Sequence, residues 1–544
     1  MNVRRLLAPL LIALTLLTAL LFAVAWIPLR QARDAWRAGH NAEALAIAAR
    51  WSEFRLWEPQ WDQIIAVANL SMGNDRAARP HLAAVRHVRP AAIEKAEVLH
   101  ALFANGRYGG LLEYDAASPG DSPETLLDRA AAQAALNRVD QASRTLRSLD
   151  PAHVDRRRYD AVRTAIAQRQ GGTIPYVFDR SGGMIGAFNL PAGEVVATEP
   201  AFAPLIDARG GALTIGSQVA RLGTATTIDT TLDPFVQQAA LAAMGKYRGA
   251  LVAIDPRTNE ILALASNAPV NLAFEQEYEP GSVIKTLTGL DALTSGVNVD
   301  AMFPYTCSGA LAIDGRRFGD WVPWGHGTLH GFDDAFAVSC NIFFADLGLR
   351  LGPDRLQRFL ASAGFGGQVN LGVFQVPLGR IVGPVDDNFE TASLAIGLEH
   401  EQINAIHLAM LASMMANRGV LTTPRLLRGR RSLFGDAVAG APPRGVTRIA
   451  GAAAAERMIR AMQAVVSDPR GTGHRAIVEE VPLAMKTGTA GERKEGLEAL
   501  ILAFAPVASP KVAFGIIAEN AGPAEFAGAE IAHEFLERIK SRLQ

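Results

Sequence analysis

Lysine is nearly missing from this chain: of 53 basic residues only seven are lysine, and the rest are arginine. Arginine stays protonated in proteins, whereas a lysine amine pushed neutral by burial or by a neighbouring cation can accept a proton. A lysine placed beside a nucleophile therefore stands out here. Cysteine is scarcer still, with Cys307 and Cys340 the only two in 544 residues. The pair excludes a disulfide-built scaffold and has no metal-site spacing, though a single bridge in an oxidising compartment stays open. No metal and no cofactor is expected. His326 and His330 have a helical ligand spacing but lie in "WVPWGHGTLHG", a Gly-, Pro- and Trp-rich loop, and "HEQIN" (400–404) lacks the second histidine of a zinc protease. Positive charge is not in surplus either. A formal net charge of −1 and a pI near 6.9 leave nothing to track a phosphate backbone, which excludes nucleic acid as a partner.

Long apolar runs are confined to the start. Between Arg5 and Arg30, "LLAPLLIALTLLTALLFAVAWIPL" holds 24 residues without a charge, about 36 Å as a helix against a hydrocarbon core of about 30 Å. Residues 1–30 are expected to form a single membrane-spanning anchor. A cleaved signal peptide is the rival, given the small-x-small Ala23-Val24-Ala25, but the run exceeds the usual apolar region of such peptides. Arg4 and Arg5 favour a cytoplasmic N-terminus, and Arg30, Arg33 and Arg37 on the far side weaken that argument.

Residues 31–170 are rich in Ala, Leu and Arg with apolar positions recurring at three and four, the mark of stacked amphipathic helices. "AWRAGHNAEAL", "NLSMGNDRAAR" and "LFANGRYGGLL" align on Gly39, Gly73 and Gly106, and "AALNRVDQASRTL" puts Asn137 in the same place, with Pro90 and Pro151 closing two units. The steps of 34 and 33 residues resemble the tetratricopeptide repeat, whose stacked helix pairs would dock a partner protein. A generic helical bundle is the alternative. From residue 171 the texture turns Gly-rich and β-branched, so 171–226 is expected to be a short β-rich connector. Residues 227–544 open with a helix after Pro234. They carry apolar runs either side of a Pro-Arg-Thr-Asn turn at 249–266, a matching pair at 498–519, and a last helix from about Ala527 to Arg542. Strands at both ends with helices between imply one antiparallel sheet built from distant segments, an α+β domain with a cleft against its helices.

Within that frame "EPGSVIKTLTGL" puts Ser282 three residues ahead of Lys285 at the start of an apolar helix, so a neutral amine can reach the hydroxyl from the same face. "SCN" (Ser339, Cys340, Asn341) follows a Gly-rich loop and opens another apolar helix. "LAMKTGTAG" puts Lys486, Thr487, Gly488 and Thr489 on a strand before the last hairpin. The three motifs in this order, with "TLDPFVQQAAL", "HGTLHGFDDAFAVSCN" and "GTGHRAIVEEVPLAMKTGTA" around them, resemble the transpeptidase domain of the penicillin-binding proteins over some 300 residues.

The resemblance implies a single-pass bacterial inner-membrane enzyme with its catalytic domain on the periplasmic side. It would be a monofunctional D,D-transpeptidase that cross-links peptidoglycan stem peptides and is inhibited by β-lactams. Ser282 is the implied nucleophile, Lys285 its base, and Ser339 a proton relay to the leaving D-alanine. Asn341 would hold Lys285 or the substrate amide, Lys486 would keep the cleft positive, and Thr487 and Thr489 would bind the substrate carboxylate. Gly488 would let the acyl donor lie close to the strand, and the backbone N–H groups of Ser282 and Thr489 would form the oxyanion hole. Departures from the family pattern are Leu398, where relatives often carry Gln, and Asn404-Ala405, where they often carry Thr-Pro. A D,D-carboxypeptidase or endopeptidase, a β-lactamase drawing on Glu390, Glu399 or Glu401, and a non-enzymatic envelope scaffold or penicillin sensor are the alternatives.

Overall fold

The computed structural model describes residues 3–54, 56–87, 93–491 and 496–544, and these form two compact units. The first is helical. Its elements are α1 (Val3–Arg37), α2 (Asn41–Ser52), α3 (Glu58–Met72), α4 (Asp75–Leu82), α5 (Lys95–Ala104), α6 (Tyr108–Ala117), α7 (Pro123–Ala135), α8 (Val139–Arg147) and α9 (Arg156–Gln170). Gly39, Gly73, Gly106 and Asn137 sit between members of successive pairs, with φ of 81°, 81°, 69° and 58°. Each turn closes with the same long hydrogen bond, from His40 N to Ala35 O, Asn74 N to Asn69 O, Arg107 N to Leu102 O, and Arg138 N to Gln133 O, at 2.8–2.9 Å. This is the left-handed helix stop that glycine and asparagine favour. Pro90 lies outside the described residues.

The anchor expected over 1–30 is not upheld, because no helix among the described residues is long and apolar enough to cross a membrane. Helix α1 does not stop near residue 30 but continues to Arg37. Its later turns are committed to protein packing: Leu29, Ala32, Ala35 and Trp36 are buried in the core of the helical unit, and Trp36 Nε1 donates to Ser71 Oγ at 3.1 Å. The membrane partner and the single-pass inner-membrane, periplasm-facing location expected from that anchor fall with it. Two segments distant in sequence, 223–227 and 429–439, also belong to the helical unit. Phe434 packs with its ring 4.7 Å from that of Phe103, and the Arg158 guanidinium stacks on it at 4.5 Å.

The second unit is α+β, as the patterning implies. Strands β1 (Thr173–Phe178), β2 (Met184–Asn189) and β3 (Glu194–Ala197) form the short β-rich stretch, and β4 (Thr227–Thr230) runs parallel to β1. Asp233 caps the helix Pro234–Met244 by accepting from Phe235 N at 3.0 Å, with Pro234 pre-set in its first turn. A five-stranded antiparallel sheet then assembles in the order Ala484–Ala490, Glu498–Ala505, Val512–Ala518, β5 (Gly249–Asp255), β6 (Glu260–Ser266). Its central register pairs Val252 with Gly515, so the two hairpins read from sequence meet edge to edge. Both faces of β5 and β6 are buried, which is why they read as unbroken apolar runs. The helix Ala405–Ala416, buried all round and capped by Asn404, lies against the sheet at Gly515, where a Cβ would stand 2.7 Å from Ala405 O.

Candidate active site

The first motif is built by two glycines that let backbone meet backbone. Gly281 has φ 54° and donates its N–H to Gly397 O at 2.8 Å. A Cβ on it would stand 2.5 Å from Thr489 O, and one on Gly488 would stand 2.6 Å from Pro280 O. The tight turn Gly281–Ile284 therefore lies flush on the strand Ala484–Ala490 and leads directly into the helix Lys285–Ser295. Ser282 is half-buried and faces a cleft of about 360 Å³. Among the described residues none hydrogen-bonds its hydroxyl. Lys285, one turn on, is 0% exposed.

The second motif sits where one helix stops and the next starts. The helix Phe332–Ala337 ends with Cys340 N donating to Ala335 O at 3.1 Å, and Cys340 Sγ caps the helix Asn341–Leu351 by accepting from Phe343 N at 3.4 Å. Ser339 between them is held at φ 56°, a left-handed conformation that costs a side-chain-bearing residue about 1–3 kcal/mol. That strain turns its hydroxyl onto both lysines. Lys486 Nζ donates to Ser339 Oγ at 2.9 Å and to Thr487 O at 2.9 Å, while Lys285 Nζ donates to Ser339 O at 2.8 Å, to Ser339 Oγ at 3.3 Å and to Asn341 Oδ1 at 2.5 Å.

Two amines sharing one hydroxyl out of water cannot both keep their protons cheaply. Burial draws the pKa of Lys285 from 10.5 down to about 8, against an opposing pull from Asp320. Burial, and then the neighbouring Lys285, hold that of Lys486 well below its ordinary value. Lys486 is also 0% exposed and is not among the residues that line the cleft. The lining instead presents neutral hydroxyls and an amide from Ser282, Ser339, Asn341, Thr487 and Thr489. Thr489 Oγ1 accepts from Ala524 N at 3.0 Å, which fixes the far end of the strand.

Further residues complete the site. Thr472 hydrogen-bonds Thr487, Oγ1 to Oγ1 at 2.6 Å, and lines the cleft with Trp321, Leu398 and Glu525. The Asp320 side chain is buried and accepts from Asn341 N at 2.8 Å and Val322 N at 3.0 Å, with His326 Nε2 3.1 Å away. Burial alone would raise its pKa, but these hydrogen bonds and the Lys285 amine hold it well below the usual carboxylate range. It pins the helix that carries Asn341. Both cysteines are buried free thiols, and Cys307 Sγ, Cys340 Sγ and an Asp320 carboxylate oxygen lie within 4.8 Å of one another, a grouping that could hold a metal ion. Separation along the chain hid it from spacing arguments. Glu390 is spent on a capping box with Asp387, and Glu401 is fully buried, its carboxyl pushed well up by that burial. Neither they nor Glu399 line the cleft.

A family model described as penicillin binding protein transpeptidase domain matches residues 249–540. Peptidoglycan D,D-transpeptidase PbpA of Mycolicibacterium smegmatis is 28% identical, the match covering 54% of this chain and 67% of that protein. Peptidoglycan D,D-transpeptidase MrdA of Acinetobacter baumannii is also 28% identical, over 53% of this chain and 50% of the other. Among solved structures, the D,D-transpeptidase domain of a peptidoglycan glycosyltransferase from Eggerthella lenta superposes with a TM-score of 0.60 at 22% identity, over 68% of this chain and 99% of that one. PBPA from Mycobacterium tuberculosis does so with a TM-score of 0.59 at 22% identity, over 68% of this chain and all of the other. The folds agree, and the family match spans more than half of the sequence. The chain belongs to the penicillin-binding protein transpeptidase family and is a serine-type D,D-transpeptidase.

Proposed function

We propose that the protein is a monofunctional peptidoglycan D,D-transpeptidase that joins stem peptides through an acyl-enzyme on Ser282 and is inhibited by β-lactams acylating the same oxygen. One observation carries the reading: a serine hydroxyl that no described residue hydrogen-bonds faces the cleft one turn from a buried lysine whose pKa is drawn to about 8. Neutral Lys285 takes the Ser282 proton as Oγ attacks the D-alanyl-D-alanine carbonyl carbon. Backbone N–H groups of Ser282 and Thr489 hold the resulting oxyanion, each such donor being worth about 3 kcal/mol of barrier. Ser339, bonded to both amines, passes a proton to the departing D-alanine nitrogen as the C–N bond breaks. An amine of a second stem peptide then attacks the ester, and Ser282 recovers its proton.

The four equivalent turns of the helical unit, each with the same hydrogen bond, support tetratricopeptide-like repeats that dock a partner protein. The test of the catalytic reading is incubation of the whole protein with a penicillin and location of the adduct by peptide mass spectrometry. A long-lived acyl group on Ser282 is expected. Folded protein that leaves the penicillin intact would overturn the reading, and rapid destruction of the free drug would make it a hydrolase.

A further inference from the structure

Among the described residues that line the cleft, Glu525 alone carries a formal charge. It follows Ala524, whose N–H is tied to Thr489 Oγ1 at 3.0 Å, which places it near the end of the strand, and it lines the cleft together with Ala490 and Gly491. Its carboxylate makes no hydrogen bond or ion pair with a described residue. Arg475 acts on it only through space, its guanidinium lying instead over the Phe526 ring at 5.0 Å. A half-buried carboxylate in a cleft wall, with no ion-pair partner among the described residues, is one that a cationic ligand entering the cleft would meet.

The substrate chemistry restricts that cation. Transpeptidation joins a carbonyl to a primary amine, so every stem peptide of a polymer that cross-links to itself carries an amine-bearing residue. The terminal carboxylate of the donor would be repelled by Glu525 and is suited to the threonines above Lys486. We propose that Glu525 binds the side-chain ammonium of the stem peptide's diamino residue and so selects stem peptides with a free amine, an inference that rests on the transpeptidase reading above. The ammonium belongs either to the donor, extended along Ala484–Ala490, or to the acceptor.

The test uses two synthetic donors that differ only in whether the side-chain amine is free or acetylated, with release of D-alanine as the readout. In the wild type the free-amine donor is expected to have the higher kcat/KM by about 10–100-fold, the worth of a hydrogen bond to a charged group. Glu525→Gln is expected to abolish that preference, and Glu525→Asp to retain part of it. Partition of the acetylated acyl-enzyme between water and an added amine acceptor is measured alongside. Loss of discrimination in the donor assay assigns the ammonium to the donor, and loss confined to the partition assigns it to the acceptor. Discrimination unchanged in both by Glu525→Gln, or absent from the wild type, overturns the proposal. A thermal melt of Glu525→Gln beside the wild type checks that the fold is kept. If the wild type itself neither takes penicillin nor releases D-alanine, the transpeptidase reading fails first and this assignment falls with it.

Discussion

Replacing Lys285 by arginine keeps a cation and removes a base. The wild-type amine is wholly buried, and its pKa is drawn from 10.5 to about 8. At pH 7 about one such amine in ten is neutral, against about one in three thousand for an unshifted lysine. Burial thus enlarges the competent fraction by about 300-fold, and arginine has no comparable neutral form. General-base assistance typically contributes about 10²–10⁴-fold, so Lys285→Arg is expected to slow acylation of Ser282 by at least that much at pH 7. The assay is the second-order rate constant for a fluorescent penicillin between about pH 6 and 10. Because the neutral amine is the active form, the wild-type rate rises with pH and levels off above about 8. Lys285→Met, with a thermal melt for both variants, separates loss of the base from loss of the fold. An arginine variant within about tenfold of wild type, or a wild-type rate that falls from pH 6 to 8, would refute the assignment.

Gly488→Ala places a methyl group 2.6 Å from Pro280 O and 2.9 Å from Val283 Cγ1, on either side of the nucleophile. Acylation is expected to fall about 100-fold with the fold retained, as misplacement by about 1 Å costs, and unchanged acylation would mean the turn is not held against the strand. His407, buried with its pKa drawn from 6.5 to about 4, binds protons more readily unfolded than folded. Stability present above pH 6.5 is therefore lost as pH falls through about 4, by about 3 kcal/mol in all, and urea titrations of His407→Gln should show a flatter acid limb. Asn137 at φ 58° is the one non-glycine among the four equivalent turns. Asn137→Gly is expected to stabilise the helical unit by about 0.5–1 kcal/mol against urea, and a loss of stability would argue that the side chain has its own role.

Elements with strong periodicity were the most legible. The hairpins at 249–266 and 498–519 follow from short apolar runs either side of turn residues, and the turns at Gly39, Gly73, Gly106 and Asn137 from left-handed preference, both local properties. Motif residues Ser282, Lys285, Ser339, Asn341 and Lys486 could be chosen from sequence because each pattern is short, and their convergence is a matter of topology. What no local pattern carried was set by distant packing. Asp320 gains its place from the helix it pins, Thr472 from Thr487, and Glu525 from the tether of its neighbour Ala524 to Thr489. The apolar N-terminal run misled for the related reason that mean hydropathy cannot tell a helix facing lipid from one whose later turns face protein. Leu29, Ala32, Ala35 and Trp36 belong to the second kind.

The segment 429–439, which brings Phe434 to Phe103, orders events during synthesis. Residues up to Ile174 emerge first, yet about 255 more must be made before Gly429 appears, a wait of roughly 13–50 s at ~5–20 residues per second. Over that interval the nascent helices keep an apolar seat open to solvent and to chaperones. Strand β5 waits in the same way for Val512–Ala518. A fragment cut at residue 170 would carry that open seat permanently, and should be stickier than the whole protein for want of one late-arriving phenylalanine.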